Sequence, residues 1–114
     1  METEDSFRKF TQSGQAAVKL EIALEQAFRE DLPASCRRAY RDYLRLRIRP
    51  AMEACIHRED TLLLDRMEAQ GWMEGIGLDD LIRLAGDSRK NAALIWLLRR
   101  KQRVFGFQKP DFSL

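Results

Sequence analysis

Histidine is the scarcest chemically active residue in this chain, which has one, His57, beside two cysteines, Cys36 and Cys55. A structural zinc site takes four Cys or His ligands, so these three residues are too few to complete one. A single histidine also leaves little for the nucleophile-and-base pairs of hydrolytic enzymes. The sequence has no glycine-rich phosphate loop and no metalloprotease motif. We therefore expect no catalytic residue, no metal site and no cofactor.

Long apolar runs are absent as well. The longest, AALIWLL, has seven residues, whereas a membrane-crossing helix needs about 18 or more. The opening METEDSFRKF is acidic and polar, unlike a secretory signal peptide. These features predict a cytoplasmic protein with no membrane contact. In a reducing cytosol we expect both cysteines to be small buried hydrophobic residues, with a disulfide or a thiol switch as the alternative.

Proline and glycine are few, three and six of 114 residues, and apolar residues nowhere alternate with polar ones as they do in a strand. The sequence therefore predicts an all-α fold, a single-domain helical bundle over residues 1–114. We expect a helical pair over 1–49 that acts as a cap and two helical hairpins over 50–105. A C-terminal tail over 106–114, rich in phenylalanine, is expected to pack against the bundle.

The N-terminal pair is predicted to consist of a first helix over Glu4–Glu30 and a second over Pro33–Ile48. Pro33 suits the first turn of the second helix, because its fixed φ is helical and its missing N–H is not needed there. After this helix, Pro50 either kinks one long helix or begins a new one. The residue before a proline avoids the α conformation, so a break at Arg49 is favoured.

The second helix is amphipathic. We name its basic face the arginine stripe; its members lie within an arc of about 120° and are Arg37, Arg38, Arg41, Arg45 and Arg49. The opposite arc holds Cys36, Ala39, Tyr40, Tyr43 and Leu44. Arg47 falls within the apolar arc, where its charge needs a partner or must extend to water. An arginine row on one helix face can follow a phosphate backbone or bind carboxylates of a partner protein.

Residues 50–105 contain two similar segments at a shift of 31 positions. The aligned pairs are Ala54 with Ala85, Leu63 with Leu94, Leu64 with Ile95, and Met67 with Leu98. Each segment predicts a short helix, a polar turn (57–60 or 87–90) and a second helix. Between them, GWMEGIG predicts a loop in which Gly71 ends the preceding helix in a left-handed conformation and the large apolar residues fold onto the core.

This pattern resembles the ankyrin-type helical hairpin repeat, whose period of about 33 residues is close to that shift. DDLIRLA stands where the family has Thr-Pro-Leu-His-Leu-Ala, with Asp80 as the N-cap and Ala85 as the close-packing alanine, and NAALIWLLRR matches the second helix. The chain departs from the family in having no glycine between the helices and no histidine at Arg83. The resemblance covers 50–105 and implies two stacked, solenoid-like hairpins. Helical hairpins of another kind would give the same aliphatic spacing.

Charge is distributed in blocks along the chain. Residues 1–32 carry a net charge of −3, residues 33–50 carry +5, residues 51–80 carry −6 and residues 81–114 carry +6, for a total of +2. Blocks of alternating sign allow neighbouring antiparallel helices to form ion pairs with one another. The pattern therefore does not require a charged ligand.

A tryptophan stands among arginines in the last predicted helix. On a helical wheel Trp96 lies apart from Ala93, Leu94, Leu97 and Leu98, and among Arg99, Arg100 and Arg103. An exposed tryptophan framed by arginines has the composition of a binding hot spot, and Arg100 is placed to stack on its indole. The alternative is that Trp96 packs on the tail or on the N-terminal helix, with the arginines in solvent.

Three functions follow. The first is a small non-enzymatic module that binds another protein through Trp96, Arg99, Arg100 and Arg103. The second is nucleic-acid binding through the arginine stripe, although the acidic blocks nearby would repel a polyanion. The third, an enzyme using Asp79 and Asp80, is disfavoured because these acids suit the start of a helix. The oligomeric state and the identity of the partner do not follow from the sequence.

Overall fold

The structure, a computed structural model, describes residues 2–105. Over that range the chain is helical and has no strand, which confirms the all-α prediction. The helices are α1 (Glu2–Gln12), α2 (Ala16–Gln26), α3 (Ala34–Leu46), α4 (Ile48–Arg58), α5 (Thr61–Ala69), α6 (Asp79–Asp87) and α7 (Asn91–Phe105). The chain divides into two compact units between Ala51 and Met52, inside α4. The predicted tail, 106–114, lies outside the described residues.

The single helix predicted over Glu4–Glu30 is wrong, because the chain breaks at residues 13–15 into α1 and α2. The Ser13 hydroxyl accepts the Gln15 N–H at 3.1 Å, a local bond that competes with the helical ladder. Gly14, in the same break, has the lowest helix propensity after proline. The break lets α2 fold back and pack against α1.

An aromatic cluster forms the centre of the first unit. Phe10 of α1 meets the rings of Tyr40 and Tyr43 of α3 edge-on, with centroids 4.8 and 5.3 Å apart. Phe7 meets Tyr40 in the same way at 5.6 Å. The Tyr43 hydroxyl donates to the Ala16 carbonyl at 3.4 Å. These contacts attach α3 to both α1 and α2.

The apolar arc predicted for α3 is confirmed at its centre, where Tyr40, Tyr43 and Leu44 are buried. The break predicted at Arg49 lies two residues earlier, at Arg47, whose φ of −125° and ψ of 46° are not helical. Pro50 is the third residue of α4. It is tolerated there because the first ladder bond of α4 comes from the next residue, whose N–H donates to the Arg47 carbonyl at 3.0 Å.

The two hairpin turns of the second unit have the same geometry. Glu59 and Arg89 both adopt a left-handed conformation, with φ of 53° and 58°. The bonds that enclose them run from the Asp60 N–H to the Cys55 carbonyl and from the Lys90 N–H to the Ala85 carbonyl, both 2.9 Å. Each turn is therefore a Schellman motif with a residue other than glycine at its left-handed position.

These turns are thirty positions apart, so the shift of 31 used for the sequence alignment is wrong by one residue. At an offset of thirty, buried residues align with buried residues: Cys55 with Ala85, Leu63 with Ala93, and Met67 with Leu97. At 31, buried Met67 would align with Leu98, which is 46% exposed.

The first turn also provides the caps of two helices. Asp60 is the N-cap of α5, and its carboxylate accepts the Leu63 N–H at 3.1 Å. The carboxylate of Glu59 accepts the Ala92 N–H, in the first turn of α7, at 2.7 Å. Two adjacent acids thereby satisfy N–H groups at the starts of α5 and α7.

The loop between α5 and α6 is confirmed at residues 70–78, and Gly71 has the predicted left-handed conformation, with φ of 82°. Met73 is buried, as expected for an apolar loop residue that folds onto the core. The N-cap predicted at Asp80 is wrong, since α6 begins one residue earlier at Asp79 after the cap residue Leu78. Both aspartates instead lie in the first turn, where a carboxylate interacts favourably with the helix dipole.

We expect Arg89→Gly to raise the free energy of unfolding by up to about 1 kcal/mol, because glycine removes the left-handed strain at that position. The equivalent change Glu59→Gly removes the same strain, but it also removes the cap of α7, which lowers the free energy of unfolding by about 1 kcal/mol. The two effects should cancel, so we expect no net stabilisation. Urea unfolding followed by circular dichroism measures both. Equal stabilisation by the two changes would show that the Glu59 cap contributes nothing.

Candidate interaction surface

The sequence leaves two orientations open for Trp96, outward or packed, and the outward one is wrong. The side chain is only 9% exposed, and its indole N–H donates to the Asp65 carboxylate of α5 at 2.6 Å. The buried face of α7 consists of Ala93, Trp96 and Leu97. Burying the largest apolar side chain removes the most apolar surface from water, and Asp65 satisfies the one polar atom of the indole.

Arg100 and Arg103 both bind the carboxylate of Glu68, a residue of α5. We name this group of three residues the Glu68 clamp. Arg100 donates to Glu68 at 2.6 Å and to the Met73 carbonyl at 3.1 Å, and Arg103 donates to Glu68 at 2.9 Å. The Arg100 side chain is 12% exposed and that of Arg103 is 56% exposed. Arg100 therefore fixes α7 to α5 and to the loop after it, whereas Arg103 strengthens the pair from the solvent side.

The clamp determines the protonation of Glu68. Burial raises the pKa of this carboxyl, but the hydrogen bonds from Arg103 and Arg100, with their charges, outweigh burial and leave the pKa below its ordinary value. Glu68 is therefore ionised at neutral pH and holds both guanidinium groups by charge-assisted bonds, the stronger kind.

The surface of α7 that faces away from this contact carries two exposed aliphatic residues, between the exposed polar residues Asn91 and Gln102. Ile95 is 50% exposed and Leu98 is 46% exposed, and the next residue, Arg99, is also exposed. Residues three apart lie on one face of a helix, so Ile95 and Leu98 form one patch. We name these three residues the outer face of α7. The helical wheel groups Leu98 with Leu94 and Leu97, on the side away from Trp96, and does not predict this exposed face.

Part of the arginine stripe makes contacts within the first unit and is not available to a ligand. The Arg41 guanidinium donates to the carbonyl of Ala27, the C-cap residue of α2, at 2.8 Å and lies 4.7 Å from the Phe28 ring centre. Arg37 is half-buried. Arg49 is half-buried too, but the break at Arg47 puts it in α4, so its predicted place on the same helix face as the other arginines is wrong. Arg41 thereby ties α3 to the end of α2, where a cation suits the helix dipole.

Two members of the arginine stripe are exposed, Arg38 and Arg45. Arg45 lies 3.9 Å from Asp42 on the same helix. Arg47 extends to solvent over the ring of Tyr43, with its guanidinium carbon 4.1 Å from the centroid, which is how a charge in the apolar arc is accommodated. The structure therefore keeps a much smaller basic surface on α3 than the sequence predicts.

Neither cysteine is in a disulfide. Cys55 is fully buried, and burial raises the pKa of its thiol to about 12, so this residue is inert to thiol reagents. Cys36 is half-buried and lines a cavity of about 250 Å³ between α1 and α3, with Phe7, Leu32 and Tyr40 among its walls.

Between residues 2 and 105, the acidic, histidine and cysteine side chains form no group of three or more that is suited to a metal ion. None of the helices in this stretch combines the length and the hydrophobicity that a bilayer crossing requires. Comparisons of the chain with protein-family models, with curated proteins and with solved structures found no match.

Proposed function

We propose that this chain is a non-enzymatic module that binds another protein through the outer face of α7. The observation that carries the proposal is that Ile95 and Leu98 are each about half exposed to solvent. The opposite side of the same helix is fixed by Trp96 and the Glu68 clamp. Aliphatic residues on a rigid helix can bind without a large loss of side-chain entropy. The adjacent Arg99 is of a residue type enriched in hot spots and can pair with a carboxylate of the partner.

Under this proposal the four residues first assigned to the binding site have different roles. Arg99 contacts the partner. The other three, Trp96, Arg100 and Arg103, hold α7 in place. Their hydrogen bonds go to Asp65, to Glu68 and to the backbone of the loop after α5. Their replacement should weaken binding through loss of structure rather than loss of contact.

The test is a double change on the outer face, Ile95→Glu with Leu98→Glu. We expect it to reduce the affinity for the partner by about tenfold or more, because it places two carboxylates where apolar contact is needed. The matched control is Leu46→Glu, which alters a leucine that is 68% exposed on another helix, α3. Proteins captured from the native cell by the unchanged chain and by the control, but not by the double variant, identify the partner.

The captured partner is then purified and titrated with the three chains by calorimetry, after circular dichroism has shown that all three have the same helix content and melting temperature. Equal affinity of the double variant and the unchanged chain would contradict this proposal.

Nucleic-acid binding by the arginine stripe is the second candidate, and what supports it is the exposure of Arg38 and Arg45. It is the weaker one because Arg41 already binds the end of α2. Retention on heparin that falls steeply with salt would favour it, whereas elution at low salt would favour the protein partner.

A further inference from the structure

The exposed residues on one side of α7 follow a heptad spacing. Four of them are separated by four, three and four positions, and we name them the α7 seam: Asn91, Ile95, Leu98 and Gln102. This is the spacing of the a and d residues at which two helices meet in a coiled coil. In heptad letters, Ile95 is an a residue and Leu98 is the d residue that follows it.

The rest of α7 is oriented as such a seam requires. In a coiled coil the residues at b, c and f point away from the other helix, and in α7 these are Trp96, Leu97 and Arg100. Trp96 and Leu97 are buried, and the Arg100 side chain, which is 12% exposed, binds Glu68. The side of α7 opposite the seam is therefore the side that packs on the chain's own hairpins.

The residue types of the seam favour one kind of pairing. A β-branched residue at a with leucine at d favours two parallel helices over larger assemblies, and Ile95 and Leu98 fit this rule. The amides of Asn91 and Gln102 lie on either side of them, so the apolar contact is about one heptad, or roughly 10 Å, long. A contact of this size suits a single helix better than a broad surface.

The charge of α7 restricts the other helix further. α7 has no acidic residue, and three of its four basic residues bind carboxylates of α5 and α6. The fourth, Arg99, is exposed, and no carboxylate within residues 2–105 binds it. In heptad letters Arg99 is an e residue, the position that pairs with a g residue of the other helix.

We propose that the α7 seam binds an amphipathic helix of the partner protein that lies parallel to α7, with aliphatic residues on Ile95 and Leu98 and a glutamate at the g position facing Arg99. This rests on the proposed function, because it describes the partner of the same face. A second copy of α7 suits the seam less well. It has no carboxylate to offer Arg99, and it would bring two basic helices together.

Two peptides of three heptads are the probes for the test. Both have isoleucine at a and leucine at d, and they differ only at e and g, which are glutamate in one peptide and lysine in the other. Like charges at these positions disfavour pairing of each peptide with itself. The full chain is titrated with each peptide, and the chemical shifts of the Ile95 and Leu98 methyl groups give the dissociation constants.

We expect the glutamate peptide to bind about tenfold more tightly than the lysine peptide, because only its charges complement α7. Arg99→Glu should reduce this preference to about twofold or less, since it removes the guanidinium that faces the g position. The matched control Arg38→Glu makes the same change of charge at an exposed arginine of α3 and should leave the preference unchanged.

The direction of the bound helix is measured with a nitroxide on the glutamate peptide. Ala92 and Val104 are exposed near the two ends of α7. For a parallel helix, a nitroxide at the peptide's C-terminus should broaden the methyl signals of Val104 more than that of Ala92. A nitroxide at the N-terminus should do the reverse.

Binding of neither peptide, equal affinity for both, an unchanged preference in Arg99→Glu, or the opposite pattern of broadening would overturn the proposal. Failure of the proposed function gives a different result. If the peptides behave as expected while Ile95→Glu with Leu98→Glu leaves the affinity for the captured partner unchanged, the proposed function fails. If that double change abolishes partner binding while neither peptide binds, only the helix proposal fails.

Discussion

Replacing Trp96 by alanine is expected to lower the free energy of unfolding by about 3–5 kcal/mol, the range for loss of a large aromatic side chain from a core. The side chain is 9% exposed, and it brings the indole N–H to Asp65 of α5. The matched change Leu98→Ala, two positions later on the same helix, should cost less than about 1 kcal/mol because Leu98 is 46% exposed.

Urea unfolding of the two variants and the unchanged chain, followed by circular dichroism, measures both costs. The difference between the two variants is the informative quantity, since both shorten a large apolar residue of α7 to alanine. A larger cost for Leu98→Ala than for Trp96→Ala would mean that the other face of α7 is buried.

Replacing Arg100 by methionine is expected to cost about 2–4 kcal/mol. Methionine preserves much of the apolar stem, but the change removes one guanidinium from Glu68 and leaves the Met73 carbonyl without its donor. Arg103→Met is the matched control, because Arg103 binds the same carboxylate while its side chain is 56% exposed. That change should cost about 1 kcal/mol or less.

The Glu68 clamp also predicts how stability depends on pH. The pKa of Glu68 is lower in the folded chain than its ordinary value, so its contribution to stability is present above the unfolded pKa of about 4.3. The contribution is lost as the pH falls through the lower, folded pKa. In Glu68→Gln the decrease in unfolding free energy between about pH 5 and pH 3 should be shallower than in the unchanged chain. Parallel pH profiles would contradict the clamp.

The face of α3 could be predicted from the sequence because its two kinds of residue are separated on the helical wheel. Tyr40, Tyr43 and Leu44 occupy one arc and are buried, and the arginines occupy the other. What the wheel could not predict is that Arg41 would turn to the end of α2, since that carbonyl, Ala27, is fourteen positions away.

The face of α7 was mispredicted because residues 92–98 are all apolar, so the sequence defines no polar side from which to infer the buried one. The buried face is determined by two residues of α5. Asp65 binds the indole of Trp96 from 31 positions away in the chain, and Glu68 binds Arg100 from 32 positions away. A helical wheel of one segment contains neither partner. The acids do occur in the sequence on a predicted helix, and pairing them with α7 would have needed the correct offset.

The break between α1 and α2 and the exact offset of the hairpins are decided by single residues. Gly14 lies at helical spacing with Phe10 and Ala17, so the apolar pattern alone favours one long helix through it. Glu59 and Arg89 carry the left-handed turns without the glycine that normally identifies that position in a sequence. Without a glycine to mark each turn, the alignment of the two segments depends on aliphatic residues alone, and these give an offset of 31 instead of thirty.

The most direct test of the central claim, that α7 presents Ile95 and Leu98 to solvent, is a thiol-accessibility measurement. Ile95, Leu97 and Leu98 are each replaced by cysteine in a Cys36→Ser chain, and the rate of reaction with a soluble disulfide reagent is compared with the rate in denaturant. We expect the thiols at 95 and 98 to react at close to their denatured rates, because both positions are about half exposed, and the thiol at 97, which is fully buried, to react only through rare opening. A thiol at 97 that reacts faster than those at 95 and 98 would contradict the account.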